Sequence, residues 1–532
     1  MPVGKRHILV VGGGTSGAVM ASRLSEDPSL HVTLLEAGPG HEAYDDRIRV
    51  PRRAADFVDG WGTTEHVRMT SEFGAIEVGQ ARMLGGTSAI NGLATLRGQP
   101  EDYDGWAQSG MKGWAWTDVE STFIQAERDM DFPESPIHGR DGPLPVRRWS
   151  RQELSFAQAA FLDGMLETGH PRALDINDPR QLPGVGNFPV TIDEQSNRVS
   201  TSLAYLDEEV QARENLDIRT NTAVASLAIE KGRALGVTLA SGEQVDADEV
   251  VVTAGAIWTA AMLLRSGVGP AAHLAEYGIR LHADLPVGST MSDHLGAGVV
   301  YRHRGPRGGV GGPAQVVFVG ASGDDGVDYH LMPISMHDSE TQPLTAGAKF
   351  KMLTQPSPEG RKPPDLKQLA GVLKFLARPS RDATLVLVAA LLLRSSNRGS
   401  VRLGRTPEAR PVVVAPPLPE DGQVRLRHAF DHLLLWERSE AFQKAGLEPV
   451  FGHDLSAPDA VVRALEQNPA SYYHQVGTCP MGSVLDADCR VHGIPNLRVA
   501  DGAVMPTIPK GNTYLGCVMV AERIATKMKE AL

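Results

Sequence analysis

Six residues near the start of the chain, Gly12-Gly13-Gly14-Thr15-Ser16-Gly17, have the types and spacing to hold phosphate. In a G-x-G-x-x-G run Gly12 permits a tight turn, Gly14 lets the backbone approach a pyrophosphate, and Gly17 lets a helix pack closely on a strand. Thr15 and Ser16 open that helix, whose N-terminus offers unpaired N–H groups and a partial positive charge to an anion. Glu36 stands nineteen residues beyond Gly17, with Ala37 after it, at the distance where a carboxylate accepts ribose hydroxyls. A carboxylate there repels a 2′-phosphate, so NADP is disfavoured while FAD and NAD both fit. A second stretch, residues 81–92, sets Arg82, Gly85-Gly86, Thr87-Ser88 and Asn91-Gly92 in a non-periodic run. Adjacent glycines and hydroxyls suit a backbone lying against a flat or phosphate-bearing ligand.

The elements needed to position these groups are legible around them. Residues 7–11 form a short β-type run before the glycines, residues 18–24 are good helix formers, and residues 32–35 form a second β-type run ending at Glu36. At 532 residues the chain is too long for one compact core, so two or more domains are expected. Apolar residues make up 42% and charged residues 22%, which argues against wholesale disorder. The net charge of −12 provides no basic footprint for nucleic acid. Cys479, Cys489 and Cys517 form neither a disulfide framework nor a zinc motif, and no metal site is expected. The apolar run after Lys5-Arg6-His7 stops too early for a secretory signal, which needs about 7–15 apolar residues. Residues 383–393 are apolar but fall short of the roughly 20 needed to span a bilayer, and their Val and Leu content points to a buried strand. A cytoplasmic protein without a transmembrane segment is expected.

The 81–92 loop resembles the Arg-x-x-Gly-Gly-(Ser/Thr)-Ser-x-x-Asn motif of the glucose–methanol–choline (GMC) oxidoreductases. The resemblance continues in order through Gly255-Ala256-Ile257-Trp258-Thr259, where Ala260 replaces a usual proline or serine, and on to Gly269. It includes Asp284-Leu285-Pro286-Val287-Gly288 with Asp293-His294, one glycine short of the family turn. It closes with His474-Gln475-Val476-Gly477-Thr478 through Met481-Gly482, Arg498-Val499-Ala500-Asp501-Gly502, and Pro509-Lys510-Gly511-Asn512-Thr513.

The resemblance implies a Rossmann-like FAD-binding domain interleaved with a substrate domain built on a mixed or antiparallel sheet, an α/β (α+β, two-domain) architecture. Residues 1–155, 196–295 and 470–532 are expected in the first, and 156–195 and 296–469 in the second. It implies FAD contacts at Gly12, Gly14, Thr15, Ser16, Gly17, Glu36, Ala37, Arg82, Gly85, Gly86, Asn91, Gly92, Leu93, Val224, Asp501, Gly502, Asn512 and Thr513. Asp501 is expected to act through its backbone, with helix capping compatible. Ile90 stands where some relatives attach flavin through histidine, so the FAD is expected to be non-covalent. His474 is implied as the catalytic base and Asn512 as its partner on the substrate oxygen. Histidine suits the base role because its ordinary pKa of about 6.5 leaves it mostly neutral.

The implied reaction is oxidation of a small primary alcohol to the aldehyde, with oxygen or another acceptor reoxidising the flavin. The Tyr-His…Asn arrangement and the length are similar to bacterial aryl-alcohol and hydroxymethylfurfural oxidases of the family, and the shortened turn to actinobacterial dehydrogenases. Tyr472 and Tyr473 are expected to border the pocket and lean toward a flat alcohol. The same fold also hosts hydroxynitrile lyases and fatty-acid photodecarboxylases, which the His474/Asn512 pair disfavours. His294, His453 and His492 are expected to be structural. In the less familiar middle, residues 365–377 have helical apolar spacing, and 305–313 read as a loop near the pocket.

Overall fold

The computed structural model describes residues 5–53, 63–304, 308–324, 326–337, 383–394, 396–450 and 454–531. The helix expected over 365–377, His453 and the first part of the 305–313 loop lie outside these residues. Strand Arg6–Val11 sits inside a six-stranded sheet ordered Arg490–Val491, Ile494–Val499, Glu249–Val252, Arg6–Val11, Leu30–Leu35, Leu216–Arg219. Its strands are parallel except for the short Arg490–Val491 edge. Ile8, Leu9, Val10 and Val11 are all buried, as a parallel strand covered on both faces requires. Helix Thr15–Leu24 makes the crossover between the first two strands and packs against the C-terminal helix Thr513–Glu530. Ser16 Oγ donates to the Cys517 carbonyl at 3.2 Å, fixing one helix on the other. Strands Val224–Glu230, Arg233–Leu239 and Gln244–Asp246 form a separate antiparallel sheet.

The apolar run near residue 383 is strand Ala383–Leu392. It pairs antiparallel with Leu295–Arg304 on one side and Tyr329–His337 on the other, within a seven-stranded antiparallel sheet. Helix Gly422–Glu437 packs on it, and residues on both faces of the strand are buried, as its continuous apolar run requires. Among the described residues, no helix is long and apolar enough to cross a membrane. Buried apolar residues gather into one large cluster around the parallel sheet and another around the seven-stranded sheet.

Strand Pro469–Ser471 joins the second sheet by pairing with residues 295–297. The chain beyond it runs on beside the same strand's approach, with Val476 bridged to Ser292. This adjacency carries His474 to His294.

Candidate functional site

The glycine turn behaves as its spacing implies. Gly12 has φ +105°, and a Cβ on Gly17 would fall 1.8 Å from the Gly12 carbonyl oxygen. A Cβ on Gly14 would meet nothing nearer than 3.8 Å, so the turn stays open where a ligand needs the backbone. Helix Thr15–Leu24 has no side-chain cap and no acidic residue in its first turn, which leaves its N-terminus to an anion. Glu36 is buried, and its two oxygens accept the Gly13 and Gly38 N–H groups, each at 2.8 Å. Burial raises its pKa, while those amides and Arg82 oppose the rise. The Glu36 carbonyl receives Thr222 N at 2.7 Å, which draws the segment leading to Val224 beside the turn.

The second glycine loop folds onto the first through Gly85 N and the Gly13 carbonyl, 2.8 Å. Gly85, Gly86 and Leu93 all take left-handed backbone angles, and a Cβ on Gly92 would meet nothing within 4 Å. Asn91 Oδ1 accepts from Leu93 N at 3.0 Å and from Arg198 Nη1 at 2.8 Å. Arg198 is fully buried and also donates to the carbonyls of Ile48 and Ser88. Arg82 has a half-exposed side chain that reaches Glu65 at 3.4 Å. Ala37 follows Glu36 at the end of its strand, while Ile90 packs beside Ile48, Met83 and Ala89.

Asp501 contributes through its side chain. Its Oδ2 accepts from Gly255 N (2.8 Å) and Thr259 Oγ1 (2.6 Å), and its Oδ1 from Ala503 N (2.8 Å). It thus ties the start of helix Ala256–Arg265 to the turn at Gly502, while Thr253 Oγ1 reaches the Gly12 carbonyl at 2.7 Å.

The second centre gathers around His474, which is 7% exposed. Asn512 is the N-cap residue of helix Thr513–Glu530, yet its side chain does not cap the helix. The amide instead meets His474 Nε2 at 3.2 Å. The loop carrying it is held by Lys510 N on Asp102 (2.6 Å) and by close approach of Gly511 to the Arg97 carbonyl, which a Cβ would meet at 2.2 Å.

The other ring nitrogen, His474 Nδ1, lies 2.9 Å from Nδ1 of His294. His294, expected to be structural, is therefore in direct contact with His474, because strand pairing aligns residues 292–297 with 469–476. Tyr472 stacks on the His474 ring with centroids 4.2 Å apart, and its hydroxyl lies 3.1 Å from Nδ1 of His330. Nothing in the spacing around His330 singles it out. Tyr473 takes φ +61° and is 55% exposed. His492 is exposed.

Asp293 supports the cluster from behind. It accepts the backbone N–H groups of His474 (3.0 Å) and His294 (2.8 Å), together with Ser471 Oγ (2.6 Å) and Gln475 Nε2 (2.7 Å). Burial raises its carboxyl to about 6 against those bonds. Burial, with His294 and His330 nearby, depresses His474 well below the usual histidine value. Burial likewise takes His294 and His330 down to about 3. The cluster is therefore a set of neutral imidazoles, able to accept a proton.

The chain belongs to the GMC oxidoreductase family: its N-terminal family model matches residues 7–296 and its C-terminal model residues 395–521. The chain is 32% identical to the 5-(hydroxymethyl)furfural oxidase of Methylovorus sp. (strain MP688), over 97% of each chain. It is 30% identical to an oxygen-dependent choline dehydrogenase of Burkholderia multivorans (strain ATCC 17616 / 249), over 98% of this chain and 93% of that one. Pyridoxine 4-oxidase from Mesorbium loti superposes with a TM-score of 0.83 at 25% identity, covering 99% of both chains. The protein is an FAD-dependent oxidoreductase acting on CH–OH groups. The open turn at Gly14, the uncapped helix and the bare face at Gly92 form a cradle that fits the dinucleotide.

Proposed function

We propose that this chain oxidises a primary alcohol, aromatic or furanic, to its aldehyde, with His474 as catalytic base and Asn512 as its partner. The observation that carries this is the buried, neutral His474 ring, 3.2 Å from an Asn512 amide that is not engaged in helix capping. FAD, when bound, supplies the acceptor for the hydride from the alcohol carbon. His474 Nε2 takes the hydroxyl proton, and the Asn512 amide donates to the oxygen as negative charge develops there. The phosphates would lie against Gly12, Gly14, Thr15, Ser16 and Gly17, and the ribose on Glu36 with Ala37. Arg82, Gly85, Gly86, Asn91, Gly92 and Leu93 would line the flavin, with Val224, Asp501, Gly502, Asn512 and Thr513 completing the site. The FAD is non-covalent on this reading, since Ile90 has no nucleophilic atom.

The preference for a flat alcohol rests on Tyr472 stacked over the base and on relatives named for hydroxymethylfurfural and pyridoxine. A two-domain division at 1–155, 196–295 and 470–532 against 156–195 and 296–469 is supported by the two apolar cores. Leu93, Leu96, Trp149 and Leu154 cross that division to join the second core, and Val401, Leu403, Val413 and Ala415 cross it to join the first. A cytoplasmic location agrees with the unpaired Cys479, Cys489 and Cys517.

The test is the visible spectrum of the FAD-loaded protein without oxygen, on adding benzylic, furanic, aliphatic and amino alcohols. Bleaching by the flat alcohols ahead of the others supports the proposal, and admitting air then separates an oxidase from a dehydrogenase. A flavin bleached only by aliphatic or amino alcohols would overturn the substrate class. A flavin that none of them bleaches would overturn the proposed reaction. Denaturation should release the FAD; flavin retained on the chain would refute non-covalent binding.

A further inference from the structure

We propose that His294 is a positioning residue that fixes the tautomer of His474, leaving the His474 Nε2 lone pair free to take the substrate proton. The inference rests on the reading of His474 as base. Two imidazole nitrogens 2.9 Å apart need one N–H and one lone pair, so the His294–His474 contact selects between two arrangements. If His294 donates, His474 carries its hydrogen on Nε2 and, being neutral, cannot act as base there. If His294 accepts, His474 has Nδ1–H and a free Nε2.

The far side of His474 decides between them. The Asn512 amide nitrogen is the group that meets His474 Nε2, and it donates, so the lone pair lies on Nε2 and the hydrogen on Nδ1. His294 is fully buried and its Nε2 has no direct hydrogen-bond partner, so Nδ1 is the nitrogen through which it meets His474. Burial keeps His294 neutral, so it has one lone pair to offer and no second N–H to compete with His474.

Asp293 makes this geometry repeatable. It holds the backbone N–H of both histidines on one oxygen, Oδ1, which sets the separation of the rings without touching either side chain. Tyr472, stacked on His474, restricts ring rotation, and its hydroxyl faces His330 and Asn512. His294 thus stands where a carboxylate orients the base in other base-catalysed sites. Unlike a carboxylate, it adds no negative charge to a pocket in which an alkoxide must form.

The experiment is side-chain nitrogen NMR of the FAD-loaded protein labelled with ¹⁵N-histidine, His474 being assigned by loss of its signals in His474→Asn. The expected result is a protonated Nδ1 and an unprotonated Nε2 on His474. A protonated Nε2 in the unmodified protein overturns the proposal without any variant. His294→Leu, with no acceptor, should mix the two tautomers and slow anaerobic flavin reduction at least tenfold. His294→Asn should recover most of both, because asparagine Oδ1 occupies the place of histidine Nδ1. An unchanged tautomer in His294→Leu, or His294→Asn as impaired as His294→Leu with FAD still bound, also overturns it. Full flavin reduction by His474→Ala would instead refute the base assignment, and the NMR readout would still report the tautomer.

Discussion

At the residue scale, the main question is how a histidine can be a strong enough base while deeply buried. Desolvation by itself lowers the proton affinity of His474, and two neighbouring histidines lower it further. That keeps the ring neutral at neutral pH, and the proton affinity has to come from contacts that strengthen as the alcohol loses its proton. In the proposed reaction the Asn512 amide, which lies 3.2 Å from His474 Nε2, supplies such a contact to the developing alkoxide. His474→Ala should therefore bind FAD normally but lose about 10²–10⁴-fold in the rate of flavin reduction. Stopped-flow reduction without oxygen, compared with the absorbance ratio of bound flavin to protein, checks both halves. A variant that keeps FAD and reduces it at the original rate would dismiss His474 as the base. Because the depressed pKa lies below the unperturbed value, the pH profile of reduction should show no loss of base activity between pH 6 and 7. A fall centred near pH 6.5 would mean that His474 titrates as though it were exposed.

At the element scale, glycines decide how closely strand, turn and helix approach. A methyl on Gly17 would overlap the Gly12 carbonyl oxygen at 1.8 Å and crowd Thr253 Oγ1 at 2.9 Å, so Gly17→Ala must push the helix off its strand. Flavin content after purification should fall several-fold, with a loss of stability of about 1–3 kcal/mol or more from overpacking. Gly105 is the contrast: it lies exposed within helix Pro100–Gln108, with nothing within 4 Å of an added Cβ. Gly105→Ala should leave flavin content alone and add about 0.5–1 kcal/mol in denaturant unfolding. Equal behaviour of the two variants would show that close approach is not what Gly17 provides. Gly12, Gly14 and Gly17 were readable from sequence because a βαβ phosphate turn imposes fixed offsets between glycine, helix and acid. The strand at residue 383 was readable because being covered on both faces demands a continuous apolar run. The histidine cluster was not. His330 lies in strand Tyr329–His337, and only the placing of that sheet beside Tyr472 gives it a partner. Asp501 was harder still, since the side chain and the backbone at one position can serve different elements.

At the scale of the whole molecule, segments far apart in sequence must be held together behind the site, and a buried ionic network does part of this. Arg97 pairs with Glu127 (2.5 Å), and His138 lies between Glu127 (2.7 Å) and Asp175 (2.8 Å). Arg148 bridges Asp129 (2.7 Å) and Asp175 (2.9 Å). Glu127, Asp129 and His138 bring ligand-type atoms within 4.8 Å of one another, but Arg97, Arg148 and a protonated His138 already balance the three carboxylates. The network reaches the site because the Arg97 carbonyl abuts Gly511, one residue before Asn512. The hydrogen bonds and charges of Asp175 and Glu127 outweigh burial and raise His138 to about 9. A histidine whose folded pKa exceeds its unfolded value of about 6.5 stabilises the fold fully below pH 6.5 and loses that contribution as pH rises through 9. Asp175, lowered to about 2, keeps its own contribution throughout that window and loses it only in strong acid. Wild type should therefore exceed His138→Gln in stability by the most near pH 6, and the gap should narrow by on the order of 2 kcal/mol toward pH 9. Paired denaturant titrations across that range measure the gap directly. A gap that stays constant or widens would mean that His138 is neutral in the folded protein and that the carboxylates are held by the arginines alone.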